Sequence, residues 1–443
     1  MLLIVIDTLR ADRLGAYGER PTGTPTLDRL AEEAQVFDSA VSTAPFTMPA
    51  VAALMTGRYP DRVGISNHSA DDRLEPSTPT LAEIARSAGY ATAAVVTNPW
   101  LAKRAMGFSR GFATFSSGRE LGHGSVRVDA RAVTDRAIDL LDADRQPLLL
   151  WVHYMDAHMP YRPPADFARA AGASSETSAV IDDFTDRNRD QRQRIYFEAP
   201  YPEAALAETR RLYDASVRFI DSEIARLLGA LDERGMSERT IVVVAADHGE
   251  SLGDHGLHFA HDFTLYDELL HVPLLIKVPG QAPARHAAPV SLVDVVPTLC
   301  ALARLECRGD LDGVALPPAS PEAPRGRFLF AAGPPQRARY DRNPYSFVDG
   351  IDGRWTMVRR DGFKLIGVPH PDALRWQLYN LDVDPGEQSD RWSTEDEGRR
   401  EELSTALLAW QREMDDARPE RNGDAPGLGH RTRQELRSLG YLD

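Results

Sequence analysis

Met1-Leu2-Leu3-Ile4-Val5-Ile6-Asp7-Thr8-Leu9-Arg10 opens the chain, and residues 2–6 form an unbroken apolar run that stops at a carboxylate. A short continuous run of this kind, ending in polar residues, reads as a strand buried on both faces, as in a parallel sheet covered by helices. Asp7 then stands at the carboxyl end of that strand. Further runs lie at Ala91 to Val96, Pro147 to Val152, Thr240 to Ala246 and Pro273 to Val278, with helical patterns between them. The alternation predicts an α/β fold with a large, mostly parallel sheet flanked by helices. Helix starts are expected at Thr24-Pro25 and Thr78-Pro79, where a capping side chain precedes a proline, with Gly89 ending the second. A long amphipathic pattern from Glu203 to Arg234 stops at Gly235 and delivers the chain into the strand that precedes Asp247.

Residues 165–202 break this rhythm with mixed charges, serines and aromatics, which reads as an insertion or lid on a catalytic domain of residues 1–312. Residues 313–326, rich in Pro and Ala, read as a linker. Beyond it, residues 327–443 are expected to form a smaller C-terminal α+β subdomain. Short antiparallel strands are predicted at Arg327 to Ala331, Arg354 to Arg359 and Phe363 to Ile366, with helices at Glu395 to Asp415 and Thr432 to Leu439.

The 443 residues carry 42% hydrophobic and 26% charged residues, an ordinary globular balance. A net charge of −15 disfavours a nucleic-acid or anionic-membrane partner, which needs a cationic footprint. It leaves anionic substrates open, because a bound divalent cation reverses the local field. Cys300 and Cys307 lack zinc-site spacing and read as core thiols. No stretch approaches the ~18 apolar residues of a membrane span, and no signal segment precedes the first strand, so the expectation is a cytoplasmic protein. Met1 lies inside the first apolar run, which keeps open a start further upstream, with export. Oligomeric state is not legible.

Ligands in open α/β sheets bind outside the carboxyl ends of the strands. Asp7 occupies one such end, and Ala245-Ala246-Asp247-His248-Gly249-Glu250 places a carboxylate and an imidazole at another. Oxygen and imidazole donors suit a catalytic divalent ion. In Thr43-Ala44-Pro45-Phe46-Thr47-Met48-Pro49, Pro49 begins a short helix that Gly57 ends, and Thr47 lies at its amino terminus, where backbone N–H groups favour an anion. Taken alone, that segment reads Thr47 as a cap. Beside a metal its hydroxyl becomes a candidate nucleophile.

Together these segments resemble the sulfatase family of the alkaline phosphatase superfamily. The resemblance rests on Ile6 to Asp12, on Thr47 to Gly57 followed by Arg58-Tyr59-Pro60, and on His153 to Tyr161. It continues through Asp247 to Glu250 with Gly253-Asp254-His255-Gly256, and through His271 to Ile276. The tail is similar to the family's C-terminal subdomain in Phe363-Lys364-Leu365-Ile366 and in Leu378 to Asp382 ending Asp384-Pro385-Gly386-Glu387. The resemblance implies that Asp7, Thr47, Asp247 and His248 hold a divalent metal and that Thr47 stands at the nucleophile position. It also implies that His158 faces the ester and that His261 lies near the place of a substrate-binding lysine. Imidazole in the ligand set favours Mn²⁺ or Zn²⁺ over Mg²⁺ or Ca²⁺.

The departures from the family pattern carry information too. Thr47 replaces the Cys or Ser matured to formylglycine, Val51 the signature arginine, Thr97 and Pro99 a lysine and a histidine, and Thr8 a second aspartate. The expected activity is therefore hydrolysis of an anionic phosphate ester, mono- or di-, or of a sulfate ester, through Thr47, with phosphoryl chemistry preferred. The alternatives are phosphoryl transfer to an alcohol or sugar and a non-catalytic anion- or glycan-binding role. His255 and His258 with His261 read either as a second metal site or as a polar loop. Asp12 with Arg10 reads as structural support, Lys364 as packing in the subdomain, and His153 as a hydrogen-bonded core residue.

Overall fold

The computed structural model describes residues 1–18, 23–67, 72–118, 121, 128–141, 147–173, 203–261, 264–307, 309–320, 325–336 and 353–419. The expected helix at 432–439, residues 174–202 of the expected lid and 321–324 of the expected linker lie outside them.

The main sheet has eight strands: β1 (Leu2–Ile6), β2 (Gln35–Phe37), β3 (Ala91–Val96), β4 (Thr114–Ser117), β5 (Leu148–Tyr154), β6 (Val242–Ala246), β7 (Leu274–Lys277) and β8 (Ala284–His286), in the order β8-β2-β7-β6-β1-β5-β3-β4. The run from β6 through β1, β5 and β3 to β4 is parallel. Every residue of β1, β5 and β6 is buried, as their continuous apolar runs require. Strand β7, read from sequence as one more member of that series, instead pairs antiparallel to both β6 and β2. An apolar run carries no information about direction.

Helices cover both faces: α1 (Pro25–Glu32), α2 (Thr47–Thr56), α3 (Leu81–Ser87), α4 (Pro99–Ala102), α5 (Ala130–Leu140), α6 (Ala165–Ala170), α7 (Glu203–Glu233), α8 (Asp267–Leu270), α9 (Val295–Ala303) and α10 (Glu397–Ala417). Thr24 precedes α1 as expected, but its side chain caps no backbone N–H of the helix and instead donates to Asp28 at 3.2 Å. The cap of α3 is Thr80 rather than Thr78, because Thr80 and Glu83 form a reciprocal capping box three residues apart. Helix α2 ends at Gly57, whose φ of 69° is the left-handed conformation that glycine adopts without steric cost. Cys300 and Cys307 are not free thiols: Arg304 turns the chain back at the end of α9, and the two cysteines form a disulfide with a Cα–Cα distance of 6.0 Å.

A second, antiparallel sheet of four strands follows in the order β9 (Leu329–Gln336), β10 (Gly353–Arg360), β11 (Phe363–Pro369) and β12 (Leu374–Asn380). Its period of two divides the side chains cleanly. Trp355, Met357, Ile366 and Tyr379 pack with Val41, Leu265 and Leu270 of the catalytic region. Val358, Leu365 and Leu378 face Leu403, Leu407 and Trp410 of α10, in a cluster that reaches Ala53 on α2. Each fully buried Leu contributes roughly 1.5–3 kcal/mol. This seam therefore ties the small sheet firmly to the helix that begins at Thr47.

Candidate active site

Strand register brings the polar residues together. Val5 pairs with Ala245 on one side and with His153 on the other, and His153 pairs with Val96. Side chains alternate along a strand, so Asp7, Asp247 and Asn98, each two residues beyond Val5, Ala245 and Val96, share the face of His153. All four side chains are completely buried at the carboxyl edge of the sheet, as are Thr47 and His248.

Asp247 Oδ1 accepts the backbone N–H groups of His248 at 2.9 Å and Thr8 at 3.3 Å, which leaves Oδ2 turned toward Asp7 and His248. Thr8 takes a φ of 58°, a costly conformation for a β-branched residue. It is held there by Asp247 and by the Tyr213 hydroxyl, which donates to the Thr8 carbonyl at 2.8 Å. Arg10 fixes the rest of the loop, donating to both oxygens of Asp12, to Asp254 at 2.6 Å and to the Glu250 carbonyl. That is the supporting role expected for Arg10 and Asp12.

Thr47 is the first residue of α2 and its side chain caps nothing; Phe46 is the cap residue. Its Oγ1 instead lies 3.3 Å from His248 Nε2 and 3.5 Å from the Asn98 amide nitrogen. Asn98 caps α4 through its oxygen, which accepts the Trp100 N–H at 3.0 Å. This turns its NH2 group toward Thr47 and toward Asp7 Oδ2, 3.1 Å away.

Burial, and after it the charge of Asp247, pushes the Asp7 carboxyl up to about 7. Burial acts the same way on Asp247, but the imidazoles of His248 and His153 outweigh it and hold that carboxyl down at about 2. Two enclosed carboxylates side by side call for a positive counter-charge. Asp7 Oδ1 and Asp247 Oδ2 are buried with no hydrogen-bond partner. They stand 3.6 and 3.7 Å from His248 Nε2, spacings that suit three donors around one ion at ~2.1 Å from each. Asp7, Asp247 and His248 are the one such group among the described residues. The donor set fits a divalent cation, and the Thr47 hydroxyl adjoins it.

Two of the expected substrate-side histidines also come together here. His158 and His261 have ring centroids 5.0 Å apart, and His261 lies 4.6 Å from His248. His261 Nδ1 is 3.1 Å from Glu250 Oε1, and burial pushes the Glu250 carboxyl up to about 7. His255 takes a different place: it pairs with Glu268 at 3.0 Å and stacks on Tyr266. Lys364 is buried in the small sheet against Asp267 at 2.6 Å and Glu387 at 2.9 Å, away from any role toward substrate.

A model of the sulfatase family matches residues 1–305. The chain belongs to the sulfatase family. Among curated members it is 27% identical over 331 residues to the iduronate 2-sulfatase of Homo sapiens, covering 63% of this chain and 60% of that protein. It is 26% identical over 368 residues to the choline-sulfatase of Rhizobium meliloti, covering 72% and 70%. The chain thus spans about three fifths of the human relative's length. Among solved structures, the phosphonate monoester hydrolase of Agrobacterium radiobacter superposes with a TM-score of 0.73 at 19% identity, over 93% of this chain and 95% of that one. At that identity the likeness is one of fold.

Within this sulfatase-family scaffold, Val51 is fully buried inside α2, and the Thr97 hydroxyl is buried without a hydrogen-bond partner. Three residues of the site were not singled out from sequence for the roles their positions suggest. Asn98 carried a signal, an Asn-Pro pair directly after a strand. Glu250 was quoted only as part of a motif. His153 looked like the end of an ordinary buried strand, and the hydrogen bonds expected for it are absent: neither ring nitrogen has a partner.

Proposed function

We propose that this chain is a metal-dependent ester hydrolase that cleaves phosphate esters through Thr47, with Asp7, Thr47, Asp247 and His248 holding the ion. The observation that carries the reading is the placement of Thr47 Oγ1, 3.3 Å from His248 Nε2, at the amino terminus of α2 and beside Asp7 and Asp247. A bound Mn²⁺ or Zn²⁺ would lower the proton affinity of the Thr47 hydroxyl and neutralise charge on the ester. The chain's own groups supply the rest. The Thr47 hydroxyl releases its proton to solvent, and Oγ1 bonds to phosphorus as the bond from phosphorus to the ester oxygen breaks, with the first backbone N–H groups of α2 aimed at the anion. Asn98 donates to a nonbridging oxygen. The ester oxygen leaves with a proton from His158 or His261. Water then attacks the phosphorus held on Thr47 and breaks its bond to Oγ1, which releases a phosphate monoester from a diester substrate, or phosphate from a monoester, and restores the Thr47 hydroxyl.

Phosphoryl chemistry is preferred over sulfuryl chemistry because threonine, a secondary alcohol, does not mature to formylglycine. Val51 and Thr97 also stand where the family carries cations. The groups identified around Thr47 are an amide, imidazoles and carboxylates, a setting that favours singly charged diesters over doubly charged monoesters.

A panel of aryl phosphodiester, phosphonate monoester, phosphate monoester and sulfate ester substrates, run with Mn²⁺, Zn²⁺, Mg²⁺ and Ca²⁺, tests this. The diester or phosphonate should turn over fastest with Mn²⁺ or Zn²⁺. Turnover confined to sulfate esters would overturn the phosphoryl reading.

A further inference from the structure

His153 lies inside β5, between β1 and β3, and is completely buried. Its Nε2 stands 4.0 Å from Asp7 Oδ2 and 3.9 Å from Asp247 Oδ2, nearly equidistant from the two carboxylates. Neither ring nitrogen has a hydrogen-bond partner. The nearest ring is the edge-on indole of Trp151, 6.1 Å away. Buried polar groups in native proteins are almost always satisfied, so each exception asks for an explanation. A purely structural imidazole would sit on a backbone carbonyl or a hydroxyl. Here the groups it faces are both carboxyls of the ligand pair.

The oxygens it faces are informative. Asp247 Oδ1 is occupied by the Thr8 and His248 backbone N–H groups, and Asp7 Oδ2 already accepts from Asn98. His153 therefore approaches the pair from the sheet side, opposite the backbone amides that hold Asp247. Without a group there, two like charges in a buried site repel and rotate apart.

We propose that His153 is a positioning residue of the metal centre. Its Nε2–H braces Asp7 and Asp247 together from the sheet side, keeping Asp7 Oδ1 and Asp247 Oδ2 convergent with His248 Nε2, and so sets the affinity for the divalent ion. It touches neither the ester nor Thr47. The proposal rests on the reading of Asp7, Asp247 and His248 as ion ligands. It adds a residue which that reading does not require.

The test measures Mn²⁺ and Zn²⁺ affinity by equilibrium dialysis, with thermal unfolding alongside, for the wild-type chain, His153→Phe, His153→Gln, His153→Asn and Trp151→Phe. The Gln amide nitrogen reaches the place of Nε2, whereas Asn stops short of it. His153→Phe should weaken binding ~10–100-fold, the effect of removing an outer group that orients metal ligands. His153→Gln should restore most of that loss. Trp151→Phe should lower the melting temperature with no more than a twofold change in affinity, which separates bracing from packing. If His153→Phe does not fold, the Gln and Asn pair carries the test, with Gln expected to bind at least fivefold tighter. Affinity within twofold of wild type in His153→Phe, or equal affinity in the Gln and Asn variants, overturns the proposal. Failure of the wild-type chain itself to bind either ion overturns the ligand reading and this proposal together, and is seen before any variant is made.

Discussion

Asn98 does two jobs with one amide, and they can be separated. Its oxygen caps α4 and its nitrogen serves Asp7 and Thr47. Asn98→Ala should cost about 1 kcal/mol of stability through the lost cap. It should also lower kcat/KM by ~100-fold, the effect of removing one donor from a developing charge. Asn98→Asp keeps the cap but sets a third buried carboxylate beside Asp7 and Asp247, so it should lower the melting temperature of the ion-free chain through repulsion rather than a lost cap and be worse than Ala in activity. Steady-state kinetics with parallel unfolding curves decide this; equal activity in the two variants would contradict the role. At this scale the sequence was readable where chemistry and position coincided. Asp7, Asp247 and His248 sit at strand ends and are of ligand type. Thr47 could be placed at a helix start, but only the structure distinguishes a cap from a side chain turned toward His248. His153 was opaque because its role depends on cross-strand register, which pairs it with Val5 and so aligns it with Asp7.

Among the elements, the short helix α8 couples the small sheet to the turn that carries Asp247 and His248. Asp267 at its start is gripped by Lys364 at 2.6 Å and by Arg359 at 3.5 Å, and the Asp267 N–H donates to Glu387. At its far end the Leu269 carbonyl accepts the Gly249 N–H at 2.8 Å, and a Cβ on Gly249 would lie 2.0 Å from the Glu268 carbonyl oxygen. Only glycine fits beside α8 at the residue following His248. Lys364→Met leaves Asp267 and Glu387 buried without their cation, and should cost roughly 3–5 kcal/mol, moderated by Arg359. It should also weaken divalent-ion binding, although Lys364 contacts none of the ligands. Metal affinity unchanged in a folded Lys364→Met would break this link. Strand existence was legible here, since β9, β10 and β11 overlap the strands expected at Arg327 to Ala331, Arg354 to Arg359 and Phe363 to Ile366, although β9 is displaced to Leu329–Gln336 and β11 runs on to Pro369. Strand β12 was missed although Leu374, Trp376 and Leu378 alternate with Arg375 and Gln377 as in a half-buried strand, and its pairing along its full length with β11 shows it. The Cys300–Cys307 bridge was missed for a similar reason: the turn at Arg304 that brings the two together has no glycine to announce it.

For the molecule as a whole, binding of an ion at the proposed site would be linked to folding through protons. The folded Asp7 carboxyl titrates near 7, above its ordinary value of 3.8, so the ion-free fold favours the protonated form. That preference stabilises the ion-free protein at low pH and is lost as pH rises from about 4 to about 7. An ion must displace the proton at pH below about 7 and meets a ready carboxylate above it. Saturating Mn²⁺ or Zn²⁺ should therefore raise the melting temperature more at pH 8 than at pH 5.5, with the increment levelling off above about 7. Calorimetry with and without metal across that range checks it; an increment independent of pH would contradict it. The α/β class and the mostly parallel sheet could be read from the alternation of buried runs and helices. The antiparallel course of β7 could not, because direction is set by the connection through residues 247–273, which builds the site. Among the described residues no helix is long and apolar enough to cross a membrane.

The central claim is that Thr47 carries the phosphoryl group during turnover. The direct measurement is acid quench of the metal-loaded enzyme during steady-state hydrolysis of an aryl phosphodiester, followed by peptide mapping of bound phosphate, with Thr47→Ala beside it. A peptide that carries the phosphoryl group on Thr47, still bearing the second ester group of the diester, absent from Thr47→Ala together with at least ~1,000-fold loss of turnover, is the result expected. Undiminished turnover in Thr47→Ala, or phosphate mapped to another residue, would contradict it.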